Sequence, residues 1–214
     1  MIITYIGHSC FKIQDKTTPD GITVVTDPFD KKTGLKPPAF EANIVTVSHG
    51  HDDHSNVKSL RGEPKVFDTA GEYEVNNVAI QGVASYHDDK EGAERGNNII
   101  YRIEMDDISI VHLGDLGHTL DNKQLEALVG TDILMIPVGG KYTIDAKKAV
   151  EIVSQIEPRI VIPMHYKVKG STVDVDSVDK FIKEMGIKPT EEDKLKITKK
   201  ELPQEDMELV VLKN

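Results

Sequence analysis

Along the first half of the chain the apolar residues fall in short β-rich runs. Ile2–Ile6 and Cys10–Ile13 are joined by Gly7-His8-Ser9, and Ile22–Thr26 follows a turn at Pro19-Asp20-Gly21. Lys31–Phe40, with Gly34, Pro37 and Pro38, reads as an irregular surface loop. Ile44–Ser48, Val78–Ala84, Ile99–Ile103 and Ile108–His112 continue the strand series. The period then changes. Asp121–Val129 places Leu125, Leu128 and Val129 on one helical face, and Asp145 caps a helix Ala146–Ile156 whose apolar positions are Ala149, Val150, Val153 and Ile156. Pro158 ends that helix. Asp174–Met185 repeats the logic through Val178, Phe181, Ile182 and Met185, and Gly186 stands at the C-terminal cap. Strands Ile133–Ile136 and Arg159–Ile162 lie between the helices, and Lys194–Thr198 with Glu208–Leu212 reads as a closing pair.

Strands first and alternating helix and strand afterwards predict an α/β or α+β sandwich with a mixed sheet. No linker, low-complexity segment or long repeat divides the 214 residues, so one domain spanning 1–214 is expected. The charged stretch Asp88–Arg95 reads as a solvated loop, and the Lys-rich Lys194–Lys200 run as a solvated strand edge.

Charge narrows the function. With 26 basic against 36 acidic residues the net charge is −10, which disfavours a general nucleic-acid or anionic-membrane binder. A single cysteine excludes a disulfide framework and a Cys-rich zinc module. Cys10 reads as a small core hydrophobe. No apolar run approaches a membrane span, and the strand-like start MIITYIGHSC lacks the features of a leader, so a cytoplasmic protein is expected.

The informative feature is Ser48-His49-Gly50-His51-Asp52-Asp53-His54-Ser55, a His-x-His-x-Asp-His pattern directly after a strand. Imidazoles and a carboxylate are ligands for Zn²⁺, Fe²⁺ or Mn²⁺. Residues two apart at a strand end point the same way, so His49 and His51 can grip one ion while Asp53 and His54 diverge toward a second. A solvated polar loop rarely carries three histidines and an aspartate within six residues. His87, Asp115 and His165 each stand just beyond the carboxyl end of a predicted strand, where α/β folds gather functional groups.

These motifs resemble the metallo-β-lactamase superfamily of metal-dependent hydrolases. The resemblance is to a small bacterial branch with a Gly-His-Ser turn (Gly7-His8-Ser9) and a Thr-Asp-Pro-Phe motif (Thr26-Asp27-Pro28-Phe29). Leu113-Gly114-Asp115, Ile136-Pro137-Val138-Gly139-Gly140 and Ile162-Pro163-Met164-His165-Tyr166 extend it, so that it runs from Gly7 to about Tyr166. The resemblance implies a four-layer αββα sandwich. It implies one metal site of His49, His51 and His87 and a second of Asp53, His54 and His165, with Asp115 bridging. The cofactors it implies are two divalent ions, zinc first, with manganese or iron as alternatives. His112 competes with His87, which is preferred because His112 lies inside a strand. Asp27 is either a carboxylate orienting a ligand histidine or a turn residue. His118 is either a proton donor or second partner near Asp115, or a solvated residue before a helix. His8 lines the pocket or holds the turn, and Gly139–Tyr142 forms pocket wall or a plain turn.

The expected chemistry is hydrolysis of an ester-type bond in a small-molecule substrate, a lactone or phosphate ester, by a hydroxide activated between two ions. Asp53 would take its proton, and His118 or metal-coordinated water would protonate the leaving group. The alternatives are a metal-stabilised binding protein without turnover and a nuclease-like phosphodiesterase.

Overall fold

A computed structural model describes residues 1–15 and 21–214. The expected turn at Pro19-Asp20 lies outside the described residues. Two mixed sheets face each other. The first contains β1 (Ile2–Gly7), β2 (Cys10–Gln14), β3 (Thr23–Thr26), β4 (Ile44–Thr46), β5 (Lys65–Phe67) and β13 (Leu195–Lys196), in the order β13-β1-β2-β3-β4-β5. The second contains β6 (Gly71–Val75), β7 (Val78–Tyr86), β8 (Asn97–Met105), β9 (Ile108–His112), β10 (Ile133–Pro137), β11 (Ile160–Met164), β12 (Thr190–Glu192) and β14 (Glu208–Leu212). Its order is β12-β14-β11-β10-β9-β8-β7-β6.

Strand direction decides where function can gather. In the first sheet β1, β2 and β3 alternate in direction and β4 runs parallel to β3, so β1, β3 and β4 point the same way. In the second, β9, β10 and β11 are parallel, and β7 is two antiparallel steps from β9. The loops that follow β7, β9, β10 and β11 therefore leave one end of that sheet.

Burial follows the pleat. Phe11, Ile13, Val24 and Ile44 enter the main core between the sheets, whereas Cys10, Val25 and Val45 alternate with them into a smaller core with Phe29, Leu60 and Val47. Loops and the 3-10 turns Lys31–Thr33 and Val57–Ser59 supply that outer layer. Across the molecule, β9, β10 and β11 are buried at every position, as continuous apolar runs covered on both faces should be. Three helices serve the second sheet's connections: α1 (Asn122–Ala127), α2 (Ala146–Ile156) and α3 (Asp179–Met185). Asp145 caps α2 through Lys148 N–H, and the helix turns Ala149, Ile152, Val153 and Ile156 inward. Among the described residues no helix is long and apolar enough to cross a membrane.

Four expectations need correction. The helix expected from Asp174 begins at Asp179, because Asp176 instead exchanges backbone hydrogen bonds with Gly139 and Lys167 and Asp174 pairs with Lys141. Val129 is 70% exposed, since α1 ends at Ala127 and Gly130 follows in a left-handed conformation. The expected closing pair does not pair: β13 edges the first sheet beside β1, whereas β14 lies inside the second. Strands β5, β6 and β12 escaped the hydrophobic pattern because backbone pairing holds residues there that are only partly buried or exposed.

The difference between Val129 and the inward face of α2 is testable. Ile152→Ala removes a fully buried side chain and should cost about 2–5 kcal/mol in urea unfolding. Val129→Ala should stay within about 0.5 kcal/mol.

Candidate metal centre

Each of the seven proposed ligands occupies a loop at a strand end, and the backbone there is specifically shaped. After β4 the chain runs through Val47 and Ser48 to His49 and then folds on itself at His51. The His51 carbonyl accepts from His54 N–H (2.9 Å), Ser55 N–H (3.0 Å) and Ser55 Oγ (2.9 Å). This turn buries His54 and leaves Asp52 outside, paired with Lys32. His87 follows β7, with its N–H on the Gly96 carbonyl. Asp115 follows β9, with its N–H on Asn98 Oδ1 at 2.9 Å. His165 follows β11 and donates its N–H to the carbonyl of His8, the residue after β1.

Close approach sets the glycines. At Gly117 an added Cβ would lie 2.3 Å from the His87 carbonyl carbon, and at Gly114 it would meet Asn98 Oδ1 at 2.4 Å. The Asp115 loop can press against both neighbours only without side chains there. His8, Asp27 and His165 adopt positive φ of 56°, 38° and 53° without being glycine, a strained conformation that clusters at functional sites.

The side chains converge. His49, His51 and His87 offer ligand atoms within 4.8 Å of one another, as do His8, His54 and His165, and as do Asp27, His49 and His54. Asp115 Oδ2 lies 3.3 Å from His54 Nε2, 3.3 Å from His87 Nε2 and 3.1 Å from His165 Nε2. Three ring nitrogens around one oxygen exceed its two lone pairs, so hydrogen bonding does not account for all of them. Two donors on one tetrahedral Zn²⁺ stand about 3.3 Å apart, which fits this spacing. The buried His49 Nε2 has no protein partner, a cost that a metal ion would remove, because Ser48 engages the other nitrogen of that ring. Asp53 Oδ2 lies 3.1 Å from His8 Nε2 and 3.8 Å from His54 Nε2, beside the second group.

Asp27 supports the cluster from behind. Its carboxylate accepts from Ser48 N–H (2.8 Å) and Ser48 Oγ (2.6 Å), and its Oδ2 lies 2.9 Å from His54 Nδ1, which leaves His54 Nε2 facing the cluster. Burial raises the Asp27 and Asp115 carboxyls, but the surrounding imidazoles outweigh it and hold both below the usual carboxylate range. Burial lowers His54, and the Asp115 and Asp27 carboxylates reverse that and hold it well above the ordinary value. Burial pushes His8 down to about 4 and His49 down to about 3.

Two histidines do other work. His112 Nε2 lies 2.8 Å from the Ser9 carbonyl and its Nδ1 accepts from Gly114 N–H, which pins the ring inside the core. His118 Nδ1 lies 2.7 Å from the Thr119 carbonyl and its Nε2 accepts from Tyr86 N–H. Both ring nitrogens of His118 are engaged by backbone groups, which tie the end of β7 to the loop after Asp115. Asp88–Arg95 is also more than a solvated loop. The buried Asp88 carboxylate accepts N–H bonds from Lys90, Gly92, Glu94 and Arg95. Burial raises that carboxyl, and the four bonds bring it down to about 2.

The sequence reading undervalued His8, and it overlooked Ser48, Asn98 and Asp88. The Gly7-His8-Ser9 motif was the available signal for His8. Nothing local marks Asn98, a strand residue whose Nδ2 reaches the Leu113 carbonyl and Ser85 Oγ.

Comparison with known proteins accords with this arrangement. The family described as Beta-lactamase superfamily domain matches residues 2–165. The chain belongs to that superfamily. Among other superfamily members, a Thermotoga maritima protein solved as a candidate Zn-dependent hydrolase of the metallo-β-lactamase superfamily is 36% identical. It superposes with a TM-score of 0.79 over 99% of this chain and 97% of its own. The UPF0173 metal-dependent hydrolase of Methanopyrus kandleri is 28% identical over 197 residues, 78% of this chain and 84% of its own. Its Thermoplasma volcanium counterpart is 29% identical over 203 residues, 83% and 86% of the two chains. The Bacillus subtilis metallo-β-lactamase fold protein YhfI, 12% identical with a TM-score of 0.64, shares the fold.

The sign of the pH response follows from the buried imidazoles. His8, His49, His87 and His112 all have folded values below the ordinary 6.5, and His54 opposes them. The contribution of the four is complete above pH 6.5 and is withdrawn as pH falls toward the folded values, about 4 for His8 and about 3 for His49. Chelated protein should therefore lose on the order of 2 kcal/mol between pH 7 and pH 5 in urea unfolding. A flat or rising midpoint would show that the rings are not held neutral.

Proposed function

We propose that this superfamily member is a metal-dependent hydrolase with a dinuclear centre. His49, His51 and His87 hold one divalent ion, Asp53, His54 and His165 hold a second, and Asp115 contacts both. The observation that carries this reading is the position of Asp115 Oδ2, within 3.1–3.3 Å of a ring nitrogen from each group. The relatives named metal-dependent hydrolases support it. Zinc is the proposed metal, because an imidazole-rich set with carboxylates suits it, and the same set accepts manganese or iron.

Such ions, when bound, make a water nucleophilic near neutral pH and polarise an acyl or phosphoryl oxygen. The chain's residues prepare that site. Asp27 fixes the His54 ring through Nδ1, so His54 Nε2 can ligate only after losing its proton. Asp53 is the half-exposed carboxylate of the cluster, and the hydrogen bond with His8 keeps it ionised despite partial burial. It is placed to orient water at the mouth and take its proton. His8 lies 3.0 Å from His54 Nε2, close enough to serve the second ion as an added donor or to relay the proton held by Asp53.

The proposed substrate is a small molecule with a lactone or phosphate-ester bond. The mouth, a cleft of about 440 Å³ lined by His51, Asp53, His87, Asp115 and His165, suits a compact molecule better than a nucleic-acid duplex. The acidic balance of the chain points the same way.

Metal-replete protein should hydrolyse a p-nitrophenyl ester, a lactone or bis(p-nitrophenyl) phosphate, and a chelator should abolish the turnover. Asp115→Ala should lose metal and activity together, as read by elemental analysis beside the assay. Tight metal without turnover across the panel would instead establish a metal-stabilised binding protein. Asp27→Asn should weaken metal affinity about 10–100-fold, because it removes the carboxylate oxygen that orients His54 and accepts from Ser48 Oγ while leaving an acceptor for Ser48 N–H.

A further inference from the structure

Of the described residues lining the cleft, Lys32 and Arg95 carry a fixed positive charge, and Lys32 is already paired with Asp52. The lining carboxylate Asp174 is likewise taken, by Lys141 at 2.6 Å. Of the cleft's remaining carboxylates, Glu94 is held by Lys90, while Asp53 and Asp115 belong to the proposed metal centre. Arg95 is different. Among the described residues its guanidinium has no carboxylate within ion-pair distance, although it lines the cleft beside His51 and His87.

Its position is built rather than incidental. The Asp88 carboxylate gathers four N–H groups of the loop, the last of them from Arg95 itself at 2.7 Å. His87 N–H closes the base of the loop on the Gly96 carbonyl. The loop is therefore anchored directly to a proposed ligand. From the other side, the guanidinium lies over the ring of Tyr142, 5.6 Å from its centroid, on the Gly139–Tyr142 loop. This cation–π contact holds the charge at the cleft, and among the described residues no carboxylate takes its N–H fork. Arg95 and His51 also line a neighbouring groove of about 770 Å³ that continues past Tyr86 and Asn97. A molecule reaching from the cleft into that groove passes the guanidinium.

We propose that Arg95, braced by Asp88 and Tyr142, is the specificity-determining residue for a substrate that carries a second, non-reacting oxyanion, a carboxylate or phosphate, beside the bond that is cleaved. The inference rests on the hydrolase reading and deepens it. A guanidinium fork binds such a group through two parallel hydrogen bonds, which a lysine cannot reproduce. The Gly139–Tyr142 loop acts through Arg95 by the cation–π contact of Tyr142 with its guanidinium.

The test compares p-nitrophenyl acetate with two esters of the same leaving group, mono-p-nitrophenyl succinate and p-nitrophenyl 3-phosphonopropionate. Wild-type enzyme should favour one or both anionic esters by about 10- to 100-fold in kcat/KM, mainly through KM, and the two arms tell carboxylate from phosphate. In Arg95→Gln that ratio should fall to near one. Arg95→Lys should recover only part of it, because the charge returns without the fork. Binding of the corresponding p-nitroanilides, followed by ligand NMR on chelated protein, gives a readout independent of turnover. There too the preference for the anionic member should depend on Arg95. No preference in the wild type, or a preference untouched by Arg95→Gln, overturns the proposal. If the wild type hydrolyses none of these esters, nor the lactone and bis(p-nitrophenyl) phosphate above, while the Arg95-dependent binding preference persists, the hydrolase reading fails and the assignment of Arg95 to oxyanion binding stands.

Discussion

The buried carboxylate of Asp115 is the interaction around which the molecule is arranged. It is 2% exposed and meets ring nitrogens of His54 from the first sheet and of His87 and His165 from the second. A charge so far from water is costly unless it is paired. The sandwich therefore closes on a set of opposed demands, in which carboxylates need positive partners and crowded imidazoles need to remain neutral. Asp27 repeats the arrangement one layer deeper, with Ser48 and His54 satisfying it. A bound divalent cation would relieve both demands, supplying charge to the carboxylates and a partner to His49 Nε2, which has none.

Topology places these groups together without long excursions of the chain. The loops after β7, β9, β10 and β11 emerge at one end of the second sheet because those strands share a direction, and those after β1, β3 and β4 do likewise in the first. Direct contacts join the two ends: His165 N–H on the His8 carbonyl, and His112 Nε2 beside the Ser9 carbonyl. The local costs are visible. His8, Asp27 and His165 hold positive φ, and Gly114 and Gly117 stand where any side chain would collide with a neighbouring loop. Rigid strands carry the strain, so ligands from four loops can be held with little freedom.

Much of this was legible in the sequence, and the reasons differ by residue. The His-x-His-x-Asp-His run is dense enough to be read alone, and the apolar runs of β9, β10 and β11 and the capped helix α2 follow from period and length. The fold agrees with the family to which the chain belongs. What stayed hidden depends on groups distant in the chain. Asn98 braces Asp115 from 17 residues away, and Asp88 organises its loop only because the backbone curls around it. His118 looked available because it lies near Asp115 in the chain, yet backbone groups of Tyr86 and Thr119 occupy both of its nitrogens. The strands β5, β6 and β12 were invisible for a related reason: their backbone hydrogen bonds, rather than apolar side chains, hold them in place.

We propose that two ions share the Asp115 carboxylate, and anomalous diffraction from zinc-loaded crystals, collected on both sides of the zinc absorption edge, decides it. Two peaks about 3.5–4 Å apart are expected, one among His49, His51 and His87 and one among Asp53, His54 and His165, with Asp115 within ligand distance of both. A single peak, or two peaks that leave Asp115 uncoordinated, would overturn the shared carboxylate.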